Sequence, residues 1–448
     1  MKIQQFEDKG LAHFSYAILS ECESQIILID PARDPKPYYE YAQENEAKII
    51  GVIETHPHAD FVSSHLEIHK ATGATIYISK LAGADYLHQA FDEGEVISFG
   101  KIKLKALNTP GHSPDGISIV LAHKGKNKAV FTGDTLFIGD VGRPDLRENA
   151  GNMKVRREEL ARQLYQSTRN KLMKLSDDVV VYPAHGSGSL CGKSLSDAHS
   201  STIGEEKMSN YALQPMPEEV FVKVLLEDQP FIPKYFEYNV ALNKQGAPDY
   251  EQSIKGVRHL ETNFKPEQGA IMVDARGQQE FKASHLKGAI NIQNGAKFET
   301  WLGSIVGPQE AWYLAAGSEK DLDKLIGKAA KIGYELTLKG AFVYNSKAGE
   351  QSSSFTKEAF LKNPDAYTIV DIRNESETKT GKFFKEAITI PLPELREKAK
   401  EIPVEKPIVV HCAGGYRSAA GSSILEAVVG KEAEILDMSE GVNELKKS

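Results

Sequence analysis

The segment Thr55-His56-Pro57-His58-Ala59-Asp60-Phe61 sets two imidazoles two residues apart and a carboxylate two residues further on. At that spacing on one loop, neutral imidazole and carboxylate can converge on a single cation. Three later positions offer the same donor types, each at the end of an apolar stretch: His112 in Thr109-Pro110-Gly111-His112-Ser113, Asp134 closing Ala129-Val130-Phe131-Thr132-Gly133-Asp134, and His185 in Val179-Val180-Val181-Tyr182-Pro183-Ala184-His185-Gly186. One polar residue at a strand end is ordinary turn chemistry, whereas several units that all end in His or Asp point to a shared site. A second chemistry lies late in the chain. Pro407-Ile408-Val409-Val410-His411-Cys412 ends on a thiol and is followed by Ala413-Gly414-Gly415-Tyr416-Arg417-Ser418 and an Ala- and Ser-rich helical stretch. Glycines let successive N–H groups face the sulfur, the helix N-terminus adds positive potential, and Arg417 closes the loop. Such a cradle favours the thiolate and can hold the same sulfur as a cysteine persulfide.

These residues need strands to carry them. The continuous run Ile49-Ile50-Gly51-Val52-Ile53 predicts a strand in the middle of a sheet covered on both faces, with the His56 loop at its C-terminal end, where side chains from several strands meet. Gln25–Ile29 and Ala74–Ile78 read as further strands, alternating with helical stretches around 36–46 and 60–71, and Asp30 is expected at the same sheet edge as His56. Lys101–Leu107 alternates like a half-exposed strand that runs into the His112 segment. The pattern is that of an α/β protein built in layers. The proline- and aromatic-rich stretch from about 205 to 250 reads as the tail of this first domain. Beyond it, Ala270–Arg276 with His285–Ile292 is repeated by Tyr367–Arg373 with Ala387–Leu392, an internal duplication of a small α/β domain. The first copy has no cysteine in Glu310–Lys320 and carries acidic residues there, so it is expected to be catalytically silent, a spacer or docking surface for the second. Ser346–Ser354, small and polar, reads as a flexible linker. The predicted domains are 1–250 with the metal site, 251–346 as the silent copy and 355–448 as the active copy.

A chain of 448 residues is too long for one ordinary core, and its 26% charged residues are those of a soluble globular protein. The formal charge of -8 shows no basic surplus, which argues against nucleic acid and anionic membranes as partners. Neither a signal peptide nor a membrane-spanning segment is expected. The three cysteines, Cys22, Cys191 and Cys412, are too few for a disulfide framework, so a reducing, cytoplasmic setting is expected. Cys191 sits in a Gly- and Ser-rich loop six residues after His185, within reach of a metal pocket, with Lys193 placed to favour its thiolate. Cys22 reads as structural, His65, His69 and His88 as surface or packing residues, and His13 as a group that supports the site from behind. A homo-oligomer is expected.

His56, His58 and Asp60, with His112, Asp134 and His185 after them, resemble the His-x-His-x-Asp-His motif and the separate His, Asp and His positions of the metallo-β-lactamase fold superfamily. That resemblance implies an αββα sandwich. Phe61 stands where dinuclear hydrolases of the superfamily carry a second-site histidine, and because an apolar ring offers no lone pair a single metal is expected. Gly133–Leu146 is similar to a segment of persulfide dioxygenases, which implies one Fe(II) per chain held by His56, His112 and Asp134, with dioxygen as co-substrate. Two imidazoles and one carboxylate on one face of an ion leave positions open for a sulfur ligand beside dioxygen. The resemblance makes His58, Asp60 and His185 outer groups that orient ligands or tune the metal. Arg143 is considered for an anionic substrate, whereas Asp140 and Asp145 read as turn residues. Glutathione-using members carry a different segment after the last histidine, which points away from glutathione persulfide. Both later copies resemble rhodanese domains, and the spacing of Cys412 and Arg417 suits a sulfur-transfer loop. The whole is similar to multidomain persulfide dioxygenase–sulfurtransferase fusions. What this implies is oxidation of a low-molecular-weight thiol persulfide to sulfite, then delivery of a second sulfane sulfur from Cys412 to sulfite to give thiosulfate, in sulfide detoxification. Two alternatives stand beside it: a zinc-dependent thioester hydrolase of glyoxalase II type with accessory sulfur-transfer domains, and a module that binds sulfur-bearing partners without turnover.

Overall fold

The computed structural model describes residues 1–146, 156–261, 264 and 266–445. Two compact units result, Met1–Ser253 with Ala330–Gly333, and Ile254–Ala329 with Tyr334–Ser448. In the first, one sheet runs in spatial order β1 (Lys2–Asp8), β2 (His13–Ser20), β3 (Gln25–Ile29), β4 (Lys48–Ile53), β5 (Thr75–Ile78) and β6 (Gln89–Ala90). The run that reads as a central strand is β4, parallel to β3 and β5 on either side. A second sheet holds β7 (Val96–Phe99), β8 (Ile102–Asn108), β9 (Ile117–His123), β10 (Lys126–Gly133), β11 (Val180–Pro183) and β12 (Ser201–Thr202), ordered β12-β11-β10-β9-β8-β7.

Alternation along the strands decides what each face meets. Tyr16, Ile18, Ile27 and Ile29 of the first sheet share one core with Leu104, Ile119 and Phe131 of the second. Their sequence neighbours Ala17, Leu19, Ile26 and Leu28 face the other way, onto Tyr38 and Ala42 of the helix Lys36–Glu44 and Ile68 of the helix His65–Thr72. Val130 and Val181 pack outward under Ala161 and Leu164 of the helix Arg157–Asn170. The layers are therefore helix, sheet, sheet, helix, the αββα arrangement that the motif resemblance implies. Because both faces of the inner strands are buried at roughly 1.5–3 kcal/mol per large aliphatic side chain, continuous apolar runs are what the central strands need. The helix expected from about residue 60 begins at His65. Residues 60–64 stay outside the helix, where Asn243, from the helix Tyr235–Gln245, donates to the carbonyl oxygens of His58 and Phe61 and accepts from the Ser63 N–H, each at 2.8 Å.

The second unit contains two four-stranded parallel sheets of the same order. One is β14-β13-β15-β16, with β13 (Ile271–Asp274), β14 (Ile290–Asn291), β15 (Trp312–Ala316) and β16 (Leu338–Val343). The other is β18-β17-β19-β20, with β17 (Thr368–Asp371), β18 (Ile388–Thr389), β19 (Ile408–His411) and β20 (Ile435–Asp437). The segment Ser346–Ser354, expected to be flexible, is tied down: Glu350 and His285 exchange backbone hydrogen bonds of 2.8 and 2.9 Å, and the Ser352 N–H donates to the Lys282 carbonyl. Its small polar residues serve backbone pairing here, a role that composition does not distinguish from a free linker. Among the described residues no helix is long and apolar enough to cross a membrane.

A candidate metal centre and a candidate sulfur-transfer loop

β3 and β4 end side by side. The Asp30 N–H donates to the Ile53 carbonyl at 2.9 Å, and Asp30 itself has φ +48°, a left-handed conformation that costs a non-glycine residue about 1 kcal/mol. That conformation turns its carboxylate onto the next loop, where it accepts from the Thr55 N–H at 2.7 Å and the Thr55 hydroxyl at 2.8 Å and lies 3.1 Å from His58 Nε2. Burial opposes charge on His58, but Asp30 outweighs it and lifts the imidazole to about 9.

Beside this clamp, donor atoms of His56, His112 and Asp134 all lie within 4.8 Å of one another. Nε2 of His112 is 3.4 Å, and Nε2 of His56 3.9 Å, from Asp134 Oδ2. The Arg143 carbonyl lies 2.9 Å from His112 Nδ1. A carbonyl can only accept, so His112 keeps its proton on Nδ1 and turns the Nε2 lone pair inward. His185 is oriented in the same way by the Ala12 carbonyl at 3.2 Å, and its Nε2 sits 3.3 Å from Asp60 Oδ2 and 3.5 Å from Asp134 Oδ1. Asp134 is buried, and neither of its oxygens meets hydrogen-bond geometry with a donor among the described residues. A bare carboxylate facing inward imidazole lone pairs in a dry pocket is costly unless a cation lies among them, so this donor set fits a metal ion.

Phe61 is packed between His13 and His58, with ring centroids 3.8 and 4.4 Å away. His13 is therefore part of the site wall, and burial, reinforced by His185 and His58, pushes its pKa well below the ordinary value and keeps it neutral. The Cys191 thiol reaches the pocket, its sulfur within 4.8 Å of donor atoms of Asp134 and His185. Its expected activation by Lys193 is not what the structure shows: the Lys193 ammonium donates to the carbonyls of Val224 and Glu227. Burial, with Asp60 and Asp134 adding to it, pushes the Cys191 thiol well above its ordinary pKa. Arg143 does not face an open substrate space either. It is 1% exposed, its Nε and Nη2 donate to Asp145 at 2.7 and 2.6 Å, and its Nη1 donates to the carbonyls of Leu190 and Phe231. Asp140, which reads as a turn residue, is fully buried and ties the two loops together: it accepts from the N–H groups of Lys193 and Ser194 at 2.7 and 2.8 Å and from the Tyr211 hydroxyl at 2.9 Å.

In the second unit β19 delivers Cys412 to the start of the helix Tyr416–Val429. The Gly415 N–H donates to Cys412 Sγ at 3.1 Å. Gly415 has φ +102°, and a Cβ there would come within 2.9 Å of the Ser439 backbone, so only glycine fits. Ala413 and Gly414 complete the turn. Tyr416 leans onto the first copy, its hydroxyl donating to the Gln293 carbonyl at 2.8 Å. Arg417 is held by Glu377, donating from Nη1 at 2.6 Å and from Nη2 at 2.8 Å. Nothing in the sequence flags Glu377, forty residues upstream on the helix Glu375–Thr380. Both copies keep a strand-end pair, Asp274 with Arg276 and Asp371 with Arg373, closest at 2.6 Å in each. Strand register aligns them further. Asp274 pairs with Ala315 and Asp371 with His411, so Ala316 occupies the place of Cys412. The helix of the first copy starts at Glu319, one residue sooner than the cysteine's helix does, and its N-terminus is filled by Ser318 and Asp321 bonding each other.

Residues 10–185 match the family described as Metallo-beta-lactamase superfamily, and residues 248–329 and 356–448 match Rhodanese-like domain. The chain is 31% identical over 228 residues to persulfide dioxygenase ETHE1, mitochondrial, of Homo sapiens, spanning 50% of this chain and 79% of that protein. It is 32% identical over 176 residues to the cytoplasmic hydroxyacylglutathione hydrolase of Arabidopsis thaliana, spanning 39% of this chain and 63% of that protein. Among solved structures, a metallo-beta-lactamase from Staphylococcus aureus subsp. aureus COL is similar at 30% identity with a TM-score of 0.69, covering 77% of this chain and 99% of that one.

Proposed function

The chain belongs to the metallo-β-lactamase superfamily, has persulfide dioxygenases among its relatives and continues into rhodanese-like domains, and from that premise we propose that it is an Fe(II)-dependent persulfide dioxygenase coupled to a sulfurtransferase. The observation that carries this reading is the donor set His56, His112 and Asp134, closed on one side by Phe61 in place of a further ligand. Fe(II) held by these three residues would supply the redox chemistry that joins a sulfur ligand to dioxygen. The protein's own part is positional. Thr55 and the Arg143 carbonyl fix the rings of His56 and His112, Asp134 supplies the one anionic donor, and the buried rings of Phe61 and Phe137 keep water out. His58, Asp60 and His185 act as outer groups, with His58 drawn toward Asp30. The balance is one alkyl persulfide, one dioxygen and one water to one thiol, one sulfite and two protons.

At the second site the Cys412 thiolate attacks the outer sulfur of another persulfide and expels its thiol. Sulfite then attacks the outer sulfur of the Cys412 persulfide, thiosulfate leaves, and the thiolate is restored. The Gly415 N–H and the helix start hold the anionic sulfur in both steps. This reading gives the protein a part in removing sulfide. The test is metal content of anaerobically purified protein, dioxygen uptake on adding persulfide, and product analysis of Cys412→Ser. About one iron per chain, persulfide-dependent uptake and sulfite in place of thiosulfate from the variant are expected. Tightly bound zinc, no uptake after ferrous reconstitution and thioester cleavage would instead establish a hydrolase, the activity named for the Arabidopsis relative.

A further inference from the structure

We infer that Glu377 sets the donor preference of the cysteine site, by neutralising Arg417 so that Cys412 takes sulfur from carbon-borne persulfides in preference to thiosulfate. The inference rests on the reading of Cys412 as a sulfur carrier and adds to it the choice of substrate.

An arginine that ends a cysteine loop is suited to gripping a dianionic oxyanion through two parallel hydrogen bonds. Here that fork is already filled. Both terminal nitrogens of Arg417 donate to Glu377, one to each oxygen, at 2.6 and 2.8 Å, and the side chains of Arg417 and Glu377 are only 14% and 32% exposed. Glu377 is fixed in turn, because its Oε2 also accepts the Asn374 N–H at 3.1 Å while its own N–H donates to the Asn374 carbonyl at 3.0 Å. Burial works against its charge, yet Arg417 outweighs burial and holds the carboxyl below its ordinary range, so the pair stays ionised at neutral pH. The other guanidinium behind the loop, Arg373, is matched in the same way by Asp371 at 2.6 Å, and His411 is kept neutral by burial. Among the described residues, the two guanidinium charges beside the loop are thus each cancelled by a carboxylate. The loop, among those residues, then meets an incoming anion chiefly with its backbone, the Gly415 N–H and the helix start.

Thiosulfate and an alkyl persulfide present the same outer sulfur to Cys412 but differ in what must be held beside it. With thiosulfate, the thiolate forms a new S–S bond as the old one breaks, and sulfite leaves with the electron pair. A sulfonate dianion is held best beside a free cation, which Glu377 withholds, so the departure of sulfite, and equally its return onto the Cys412 persulfide, is slowed and not blocked. With a persulfide the leaving group is a thiolate on carbon, and no second anion site is required. Discrimination arises as much from the unfavourable fit of the wrong donor as from attraction to the right one.

The experiment compares kcat/KM for thiosulfate and for the persulfide of N-acetylcysteine as donors. Cyanide serves as acceptor, attacking the outer sulfur of the Cys412 persulfide to give thiocyanate and restore the thiolate. The assay uses the full chain under nitrogen, so that dioxygen chemistry is silent. In Glu377→Gln the ratio of the thiosulfate to the persulfide value is expected to rise about tenfold, through a lower KM for thiosulfate, as one charged hydrogen-bond partner is withdrawn from Arg417. Glu377→Ala should raise it further, and Glu377→Asp, which keeps the charge, should leave it near the wild-type value. A ratio that stays within twofold of wild type in both the Gln and Ala variants overturns the inference. Cys412→Ser is the control on the underlying reading: if it still forms thiocyanate from either donor faster than the protein-free mixture of donor and cyanide, Cys412 is not the carrier, and that reading falls together with this one.

Discussion

Asp140→Asn probes the joint between the metal-edge loop and the Cys191 loop. In the folded protein one oxygen of Asp140 accepts the N–H groups of Lys193 and Ser194 at 2.7 and 2.8 Å, and the other accepts the Tyr211 hydroxyl at 2.9 Å and the Val141 N–H at 2.8 Å. An asparagine keeps one oxygen and sets an NH2 group in the place of the other, so two donors lose their acceptor and meet another donor. At roughly 1.5–3 kcal/mol for each hydrogen bond to a charged group, the change costs about 3–6 kcal/mol. In a unit of this size each kcal/mol moves the melting temperature by about 2–4 °C, so a fall of about 10 °C is expected for the first unit. The loss should also be local. Amide exchange at Lys193 and Ser194 should accelerate, and Cys191, buried in the wild-type protein, should become open to alkylation. Calorimetry, hydrogen-exchange mass spectrometry and a timed alkylation measure the three effects. A melting temperature within about 2 °C of wild type, with unchanged protection of both amides, would refute the assignment of Asp140 as the tie between the loops.

Asp134→Asn should weaken metal binding by more than about 100-fold in a calorimetric titration while leaving the metal-free protein no less stable, because it removes a buried charge that meets no hydrogen-bond donor among the described residues; a destabilised apo variant would count against the site. Glu426 is lifted from its ordinary 4.5 to about 7, chiefly by burial, with Asp437 and Glu350 adding to it against Ser352 and Lys282. Since the folded value lies above the unfolded one, the native state binds the extra proton, and stability should fall by up to about 3 kcal/mol as pH rises from about 4.5 through about 7. Glu426→Gln should abolish that slope in urea unfolding at pH 5 and pH 8, and parallel slopes would contradict it. Gly295→Ala places a methyl group 3.1 Å from Tyr416 Cε2 and 3.2 Å from its hydroxyl. The tyrosine ring should shift by a few tenths of an ångström, loosening its bond to Gln293, and thiocyanate formation at Cys412 should slow about threefold, whereas an unchanged rate would show that the seat does not matter to the loop.

What could be read in advance follows from where information lies in the chain. His56, His112, Asp134 and His185 each close an apolar run, so period and strand ends were enough to bring them to one edge, and the doubled pattern of the second unit is visible as a repeat. Partners brought together only by the tertiary fold left no such trace. Asn243 holds the loop at Phe61 from 182 residues away, and Asp140 reaches the Cys191 loop across more than fifty. Local pairing misled in the opposite direction. Arg143 suggested a free cation for substrate, yet Asp145, only two residues on, takes its charge, and Lys193 turns to carbonyls of a different helix end. Glu377 escaped notice because a glutamate in a charged helical turn looks the same whether or not an arginine closes on it.

The shortened turn after Ala316 bears on the history of the duplicated half. Losing a nucleophile by substitution is reversible, since one codon change restores it. Losing a residue from the curve that should wrap the sulfur is not undone by that change, and a cysteine returned to position 316 would find the helix start one step too close and already filled by Ser318 and Asp321. A single Ala316→Cys substitution would therefore not by itself rebuild the loop of the second copy. The first copy's frame, including the strand-end pair of Asp274 and Arg276, is kept without a cysteine at the strand end.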